Sequence, residues 1–340
     1  MTASKSFIVV VAMLCLMATV ALAHRPSPSP SPSPKPTVFV FTDVNTDDFM
    51  ALKLILKYSN VKVGGFVAGC AGFCNMGPGI QNLFGLLKFM DRDDVPVWAG
   101  EAYASTEIDS GNYSCTFQKT RNYYPGFPQV YEPLRAAIAA LDGPVEFLSL
   151  GTLTEIDYLF RRYPDLKQRV RRITIMGGAV HVPGNLFFPR GSAPNTVAEC
   201  NIYLDPHSAR NVFVSGVPIR LVPLDATNAF QLSWEFLNEF DDVARTKEAK
   251  FVKDLLILIK NNSAATSMYS LWDPLTAAIL ADHSIIFEEE TVNMTVVTSG
   301  SQAGRTVIDN VEGKPVQVVL TADPDFYDIF IDKLNRRRRW

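Results

Sequence analysis

The sequence predicts an α/β protein: a single domain on a mainly parallel central sheet with helices on both faces, plus a late helical and small β segment. Three observations carry that expectation. Between Thr37 and Val222, short runs rich in β-branched and aromatic residues alternate with stretches of helical periodicity, the order that βαβ units produce. The strand runs are apolar almost throughout rather than at every second position, as strands buried on both faces require. With 340 residues, 47% of them hydrophobic, the chain can bury one large core. Its 32 basic and 35 acidic residues leave a net charge of −3, so it offers no basic face to a nucleic-acid backbone.

The first segment reads as an address. Met1–Ala23 carries Lys5, an apolar run from Phe7 to Leu22 and the small-residue pattern Ala21-Leu22-Ala23, which predict a signal peptide cleaved after Ala23 and a secreted, extracellular chain. The run is shorter than a bilayer-spanning helix needs, so no membrane span is expected. Residues 24–36 are rich in Ser-Pro repeats, which fit neither helix nor sheet and make an extended linker. In an oxidising compartment Cys70, Cys74, Cys115 and Cys200 can form disulfides of unassigned pairing, and Asn112, Asn261 and Asn293 head glycosylation sequons.

The domain is expected over 37–335. Thr37–Phe41 reads as a strand, Asp48–Tyr58 as a helix and Val61–Val67 as a second strand, together one βαβ unit. The helix Ile80–Met90, strand Val95–Trp98, helix Val130–Leu141 and strand Val145–Leu150 continue the alternation. The helix Thr154–Arg162, strand Arg172–Met176, helix Pro206–Phe213 and strand Pro218–Val222 follow. Ser233–Ala281 reads as mostly helical. Thr291–Val297, Arg305–Asp309 and Val316–Leu320 form the late β segment before a last helix, and 336–340 is a basic tail. In such sheets ligands bind beyond the carboxyl ends of the strands.

The chemistry gathers at one of those ends. Phe41-Thr42-Asp43-Val44-Asn45-Thr46-Asp47-Asp48 puts three carboxylates and an amide where the first strand becomes the first helix, a set of hard oxygen donors that suits a cation. An EF-hand loop starting at Asp43 would need glycine and glutamate where the chain has Asp48 and Leu54, and is rejected. An aspartyl-phosphate phosphatase would want an acid where Asn45 stands, and an amide donates no such proton. A helix cap accounts for one of these acids, not for three.

Asp43-Val-Asn-Thr-Asp47-Asp48 resembles the DxxxDD signature of nucleoside hydrolases, and four further segments agree in order. Gly151-Thr-Leu-Thr154 is similar to the family's GPLTN turn and Met176-Gly-Gly178 to its MGG. Ala198-Glu199-Cys-Asn201-Ile-Tyr-Leu-Asp205-Pro206 resembles its AEFNxxxDP, and Trp272-Asp273-Pro274-Leu275 its late aspartate motif. The resemblance, to the inosine-uridine preferring nucleoside hydrolases, runs from Val38 to the last helix and implies cleavage of a ribonucleoside into base and ribose. It implies that Asp43, Asp48 and Asp273, with the backbone carbonyl of Thr154, hold one Ca²⁺, and that Asp43 is the catalytic base toward calcium-bound water. It further implies that Asp47 takes a ribose hydroxyl, while Asn185, Glu199, Asn201 and Asp273 grip the rest of the sugar. The expected partners are a small-molecule nucleoside and further copies of the chain, as a homodimer or other homo-oligomer.

The residue before Asp273 points to a subclass. Trp272 stands where the inosine-uridine branch commonly has a histidine acid, so the site resembles the purine-specific (inosine-adenosine-guanosine) branch, which stacks the base between aromatic rings. Stacking can make the purine N7 more basic, and solvent then protonates the leaving group. This gives Trp272 a catalytic role and makes Tyr113 the second wall, with Tyr103, Tyr123 and Tyr124 as rivals. Two departures stand out: Phe41 where the family often has another aspartate, and Gly69-Cys70 where it carries an amide or acid near the ribose. They leave open a nucleoside-binding protein without catalysis; pyrimidine preference is the other alternative.

Overall fold

The computed structural model describes residues 35–69, 71–72, 76–100, 131–186, 195–262 and 269–336. The signal peptide, nearly all of the linker, Cys70, Cys74, Cys115, the tyrosines at 103, 113, 123 and 124, and the tail beyond Arg336 lie outside these residues. The central strand β1 (Thr37–Thr42) is buried at all but its first position. Val38 and Val40 enter one core, Phe39 and Phe41 the other, because successive strand side chains leave on opposite faces.

The other strands are β2 (Lys62–Ala68), β3 (Val97–Ala99), β4 (Val145–Ser149), β5 (Val170–Met176), β6 (Ile219–Val222), β7 (Ile286–Val296), β8 (Thr306–Ile308) and β9 (Lys314–Ala322). Among the described residues they form one sheet in the order β3-β2-β1-β4-β5-β6-β9-β7-β8. β1 to β6 and β9 run parallel, and β7 is antiparallel to both β8 and β9. The late β segment is therefore the far edge of the central sheet. β7 starts earlier than the apolar pattern suggests, since its polar first half, Glu288 to Glu290, is solvent-exposed or half-buried.

The helices in chain order are α1 (Thr46–Lys57), α2 (Met76–Phe89), α3 (Tyr131–Ala139), α4 (Thr154–Arg162), α5 (Cys200–Leu204) and α6 (Pro206–Phe213). α7 (Leu224–Thr227), α8 (Trp234–Val243), α9 (Lys247–Asn262), α10 (Trp272–Ala281) and α11 (Phe326–Asn335) follow. α1, α2, α10 and α11 cover the Val38 face, and α3, α4 and α6 the Phe39 face. α5 and α7 are too short to show periodicity, so the alternation pattern misses them.

Two features of this arrangement build the site. β1 has β2 on one side and β4 on the other, so the strand order reverses there, and the carboxyl ends of β1 and β4 flank a switch-point crevice. α10 packs along α1 and is buried from Asp273 to Ala281. The first turns of these two helices carry Asp47, Asp48 and Asp273.

One buried charge on α1 lies away from that crevice. The Lys53 ammonium has no hydrogen-bond partner among the described residues and sits 3.9 Å from the ring centres of both Phe89 and Phe251. Burial lowers its pKa from 10.5 to about 7, so between those values the unfolded chain holds a proton that the folded chain has released. Stability therefore rises with pH across that window and is lowest below it. The penalty on the buried cation is about 5 kcal/mol, and two cation–π contacts offset roughly 2–4 kcal/mol of it. Lys53→Met should therefore raise stability at pH 6 by about 1–3 kcal/mol and abolish the rise between pH 7 and 10 in chemical denaturation. A variant less stable than wild type at pH 6 would show that the rings outweigh the desolvation.

Candidate active site

Val44 starts the site. This β-branched residue has φ of 59°, a left-handed conformation costly for its type that recurs at functional turns. The turn is tied down by Thr42, whose hydroxyl accepts from the Val44 N–H at 3.1 Å and donates to Asp48 Oδ1. The second Asp48 oxygen accepts from the N–H of Asn45, the N-cap of α1, at 3.0 Å. Asn45 and Asp48 thus form a capping box, which leaves Asp43 and Asp47 outside the cap.

The acids converge. Carboxylate oxygens of Asp47, Asp48 and Asp273 lie within 4.8 Å of one another, and all three residues are buried. Asp43 is buried beside them and interacts electrostatically with all three. Gly72, at φ of +136°, leaves Asp43 its room: a Cβ there would lie 2.3 Å from the Asp43 Cβ. Burial, reinforced by the charge of Asp43, raises Asp47 to about 7. Asp48 rises to about 7 through burial and the charge of Asp47, and Asp273 goes well above the carboxylate range through burial and its acid neighbours. Buried oxygen donors with mutual repulsion fit a hard divalent cation.

By the family resemblance Asp43, Asp48, Thr154 and Asp273 are the expected metal set and Asp47 is expected on the sugar. The geometry groups Asp47 with Asp48 and Asp273 as the metal-capable acids, with Asp43 alongside. Thr154 opens α4 next to the end of β4, its hydroxyl donating to Asp205 Oδ2 at 2.8 Å. Phe41 packs in the second core, its ring 5.0 Å from that of Phe147.

A second arm comes from β5 and α5. Glu199 caps α5 and accepts from the N–H groups of Asn201, Ile202 and Gly178 at 3.0–3.2 Å. Gly178 presents its N–H from a φ of +85°, which glycine adopts freely. Burial still raises Glu199 to about 7. Asn201 Nδ2 donates to the Met176 carbonyl at 3.3 Å, and Asn185 Oδ1 accepts from the Cys200 N–H at 3.0 Å. Asn185, Glu199 and Asn201 thus form one bonded unit at the carboxyl end of β5.

The aromatic side holds Trp272 and a residue the sequence reading missed. Tyr269 is half-buried with its phenol near the acids, its ring 4.9 Å from that of Trp272 in an edge-on arrangement. Burial and the charges of Asp47, Asp273 and Asp48 push its phenol pKa well up. The Trp272 indole N–H is buried without a partner among the described residues, though the residue itself is only partly buried. Tyr269 carries no motif signal, because its role depends on the start of α10 meeting α1. Tyr113, the expected second wall, lies outside the described residues.

The comparisons with known proteins agree with this geometry. Residues 38–328 match the family model described as "Inosine-uridine preferring nucleoside hydrolase". Nucleoside hydrolase 3 of Arabidopsis thaliana is 28% identical over 78% of this chain, which spans only 39% of that protein's length. A pyrimidine-specific ribonucleoside hydrolase of Shewanella is 27% identical, over 86% of this chain and 94% of its own. A solved plant nucleoside hydrolase superposes with a TM-score of 0.74 at 23% identity, covering 89% of this chain and all of its own. A parallel sheet with acids at its switch point and a family match over most of its length lead to one assignment: the chain belongs to the inosine-uridine preferring nucleoside hydrolase family.

Proposed function

We propose that the protein hydrolyses the N-glycosidic bond of ribonucleosides, prefers purines, and uses a bound Ca²⁺. The observation that carries this reading is the convergence of Asp47, Asp48 and Asp273, with Asp43 alongside, at the carboxyl end of the sheet that also carries the Glu199–Asn201–Asn185 arm after β5. A cation held by the acid cluster supplies the charge that acidifies water and orients sugar hydroxyls. Asp43 accepts the proton of the attacking water. The arm residues, with Asp47, hold the ribose hydroxyls, so that binding energy fixes the sugar for attack. Trp272 offers its face to the departing base, and Tyr269 buttresses it edge-on. Protonation of the base falls to solvent, since Trp272 stands where a histidine acid would be.

The apolar N-terminal run and the Ser-Pro linker support export of the mature chain, which would then act on extracellular nucleosides, as a homodimer or other homo-oligomer. Pyrimidine preference is the second reading, favoured by the name of the Shewanella relative. Base release from inosine, adenosine, guanosine and uridine, followed by chromatography with and without EDTA, decides between them. The expected result is purine turnover at least tenfold above uridine, abolished by EDTA and restored by excess calcium, with Trp272→Ala lowering kcat for inosine by about 10- to 100-fold. No turnover of any of the four with calcium present defeats the proposal.

A further inference from the structure

We propose that Glu155 is a positioning residue of this site: its buried carboxylate, held by the Tyr131 hydroxyl, ties the turns after β2 and β3 to the first turn of α4 and so fixes Asp43 and Thr154. The inference rests on the nucleoside hydrolase reading above and deepens it, because none of the steps given there uses Glu155. An acid in a first helical turn gains from the partial positive charge of the helix end without needing to be buried. Glu155 is nevertheless only 2% exposed, and a carboxylate taken from water needs a partner. Tyr131, the first residue of α3, donates its hydroxyl to Glu155 Oε2 at 2.6 Å. That phenol is aimed by packing, since its ring stacks on Tyr158 of α4 at 5.6 Å.

The space around the carboxylate is shaped for it. A Cβ on Gly100, just after β3, would lie 2.1 Å from Glu155 Oε1, and one on Gly69, just after β2, 4.0 Å from its Cγ. Both glycines belong to the frame of the site. Gly100 N–H donates to the Ala68 carbonyl at 2.7 Å, and Gly69 N–H to the carbonyl of Thr42, the residue before Asp43, at 2.8 Å. From the α4 side, the Thr152 hydroxyl donates to the Ala71 carbonyl at 3.2 Å, next to the Gly72 that sits against Asp43. The Glu155 side chain therefore fills the gap between the ends of β2 and β3 and the helix that begins with Thr154. Emptying that gap lets the turn behind Asp43 shift, and catalysis is sensitive to displacements of this order.

The test compares wild type with Glu155→Ala, Glu155→Gln and Tyr131→Phe, reading kcat and KM for inosine, calcium affinity by calorimetry, and Tm. Glu155→Ala is expected to lower kcat about tenfold or more and to weaken calcium binding several-fold in folded protein. Glu155→Gln, which keeps the volume and an acceptor for Tyr131, recovers most of both, and Tyr131→Phe falls between. A lowered Tm with unchanged kcat and unchanged calcium affinity would mean that Glu155 serves stability alone and would overturn the proposal. Tyr131→Phe, which removes one hydroxyl, keeps the test decisive if Glu155→Ala does not fold. Should wild type hydrolyse no nucleoside, the functional reading fails, and the calcium measurement decides alone: equal affinity in wild type and variants overturns the positioning role, weakened affinity supports it.

Discussion

Asp43→Asn should cut ribonucleoside turnover by about 10³-fold or more while leaving the fold intact. A positioned general base contributes about 10²–10⁴-fold, and a 10³-fold loss corresponds to roughly 4 kcal/mol at the transition state. Asparagine has nearly the same shape, so it fits the slot that Gly72 leaves beside Gly151, where a Cβ would already lie 3.0 Å from that of Asp43. The substitution removes the proton acceptor and one negative charge, not volume. KM should therefore change much less than kcat, and Tm without metal should stay level or rise, because Asp43 adds to the repulsion on Asp47 and Asp273. Steady-state kinetics on inosine, with Tm measured alongside, checks this. A variant within threefold of wild-type kcat would remove Asp43 from the role of base.

What the sequence revealed of this site follows from where each residue's signal resides. Asp43, Asp47 and Asp48 are legible because three acids at one strand–helix junction exceed what a cap needs, and of the three only Asp48 joins Asn45 in the capping box. That Asp273 joins them is a tertiary fact, produced by α10 lying along α1, and only the family motif pointed to it. Tyr269 and Glu155 stayed hidden for different reasons. An aromatic ahead of a helix looks like any core residue, and an acid in a first turn looks like ordinary dipole compensation. The parallel strands were readable from their continuous apolar runs, whereas β7 escaped in part because its first half faces solvent. The joining of β9 to β6 is a long-range pairing that no local pattern specifies.

The second large effect is a pH dependence whose sign depends on the cation. Without metal, burial and mutual repulsion raise Asp47 and Asp48 from 3.8 to about 7 and lift Asp273 well above the usual carboxylate range. Between those values the folded chain keeps protons that the unfolded chain has lost. The stability linked to them is fully present below about pH 4 and is lost as pH rises through 7, at up to about 1.4 kcal/mol per pH unit for each proton. Glu199, raised to about 7, acts in the same direction. Metal-free Tm should thus fall by about 5–10 °C between pH 5 and 7.5 for each proton the fold retains, at roughly 2–4 °C per kcal/mol. Calcium must displace these protons to bind, so its affinity, and the stabilisation it gives, should increase over the same interval. Asp273→Asn separates this cluster from every other titrating group. It removes a carboxyl that the empty fold must either keep protonated or accept as a repelling charge, so the metal-free variant should be more stable than wild type at pH 7.5, with a flatter profile and little gain from calcium. Scanning calorimetry of both proteins at pH 5, 6, 7 and 7.5, with EDTA or calcium, reads the difference directly. A metal-free variant less stable than wild type at pH 7.5 would mean that Asp273 stabilises the empty site, and that the four acids are not held together against their own repulsion.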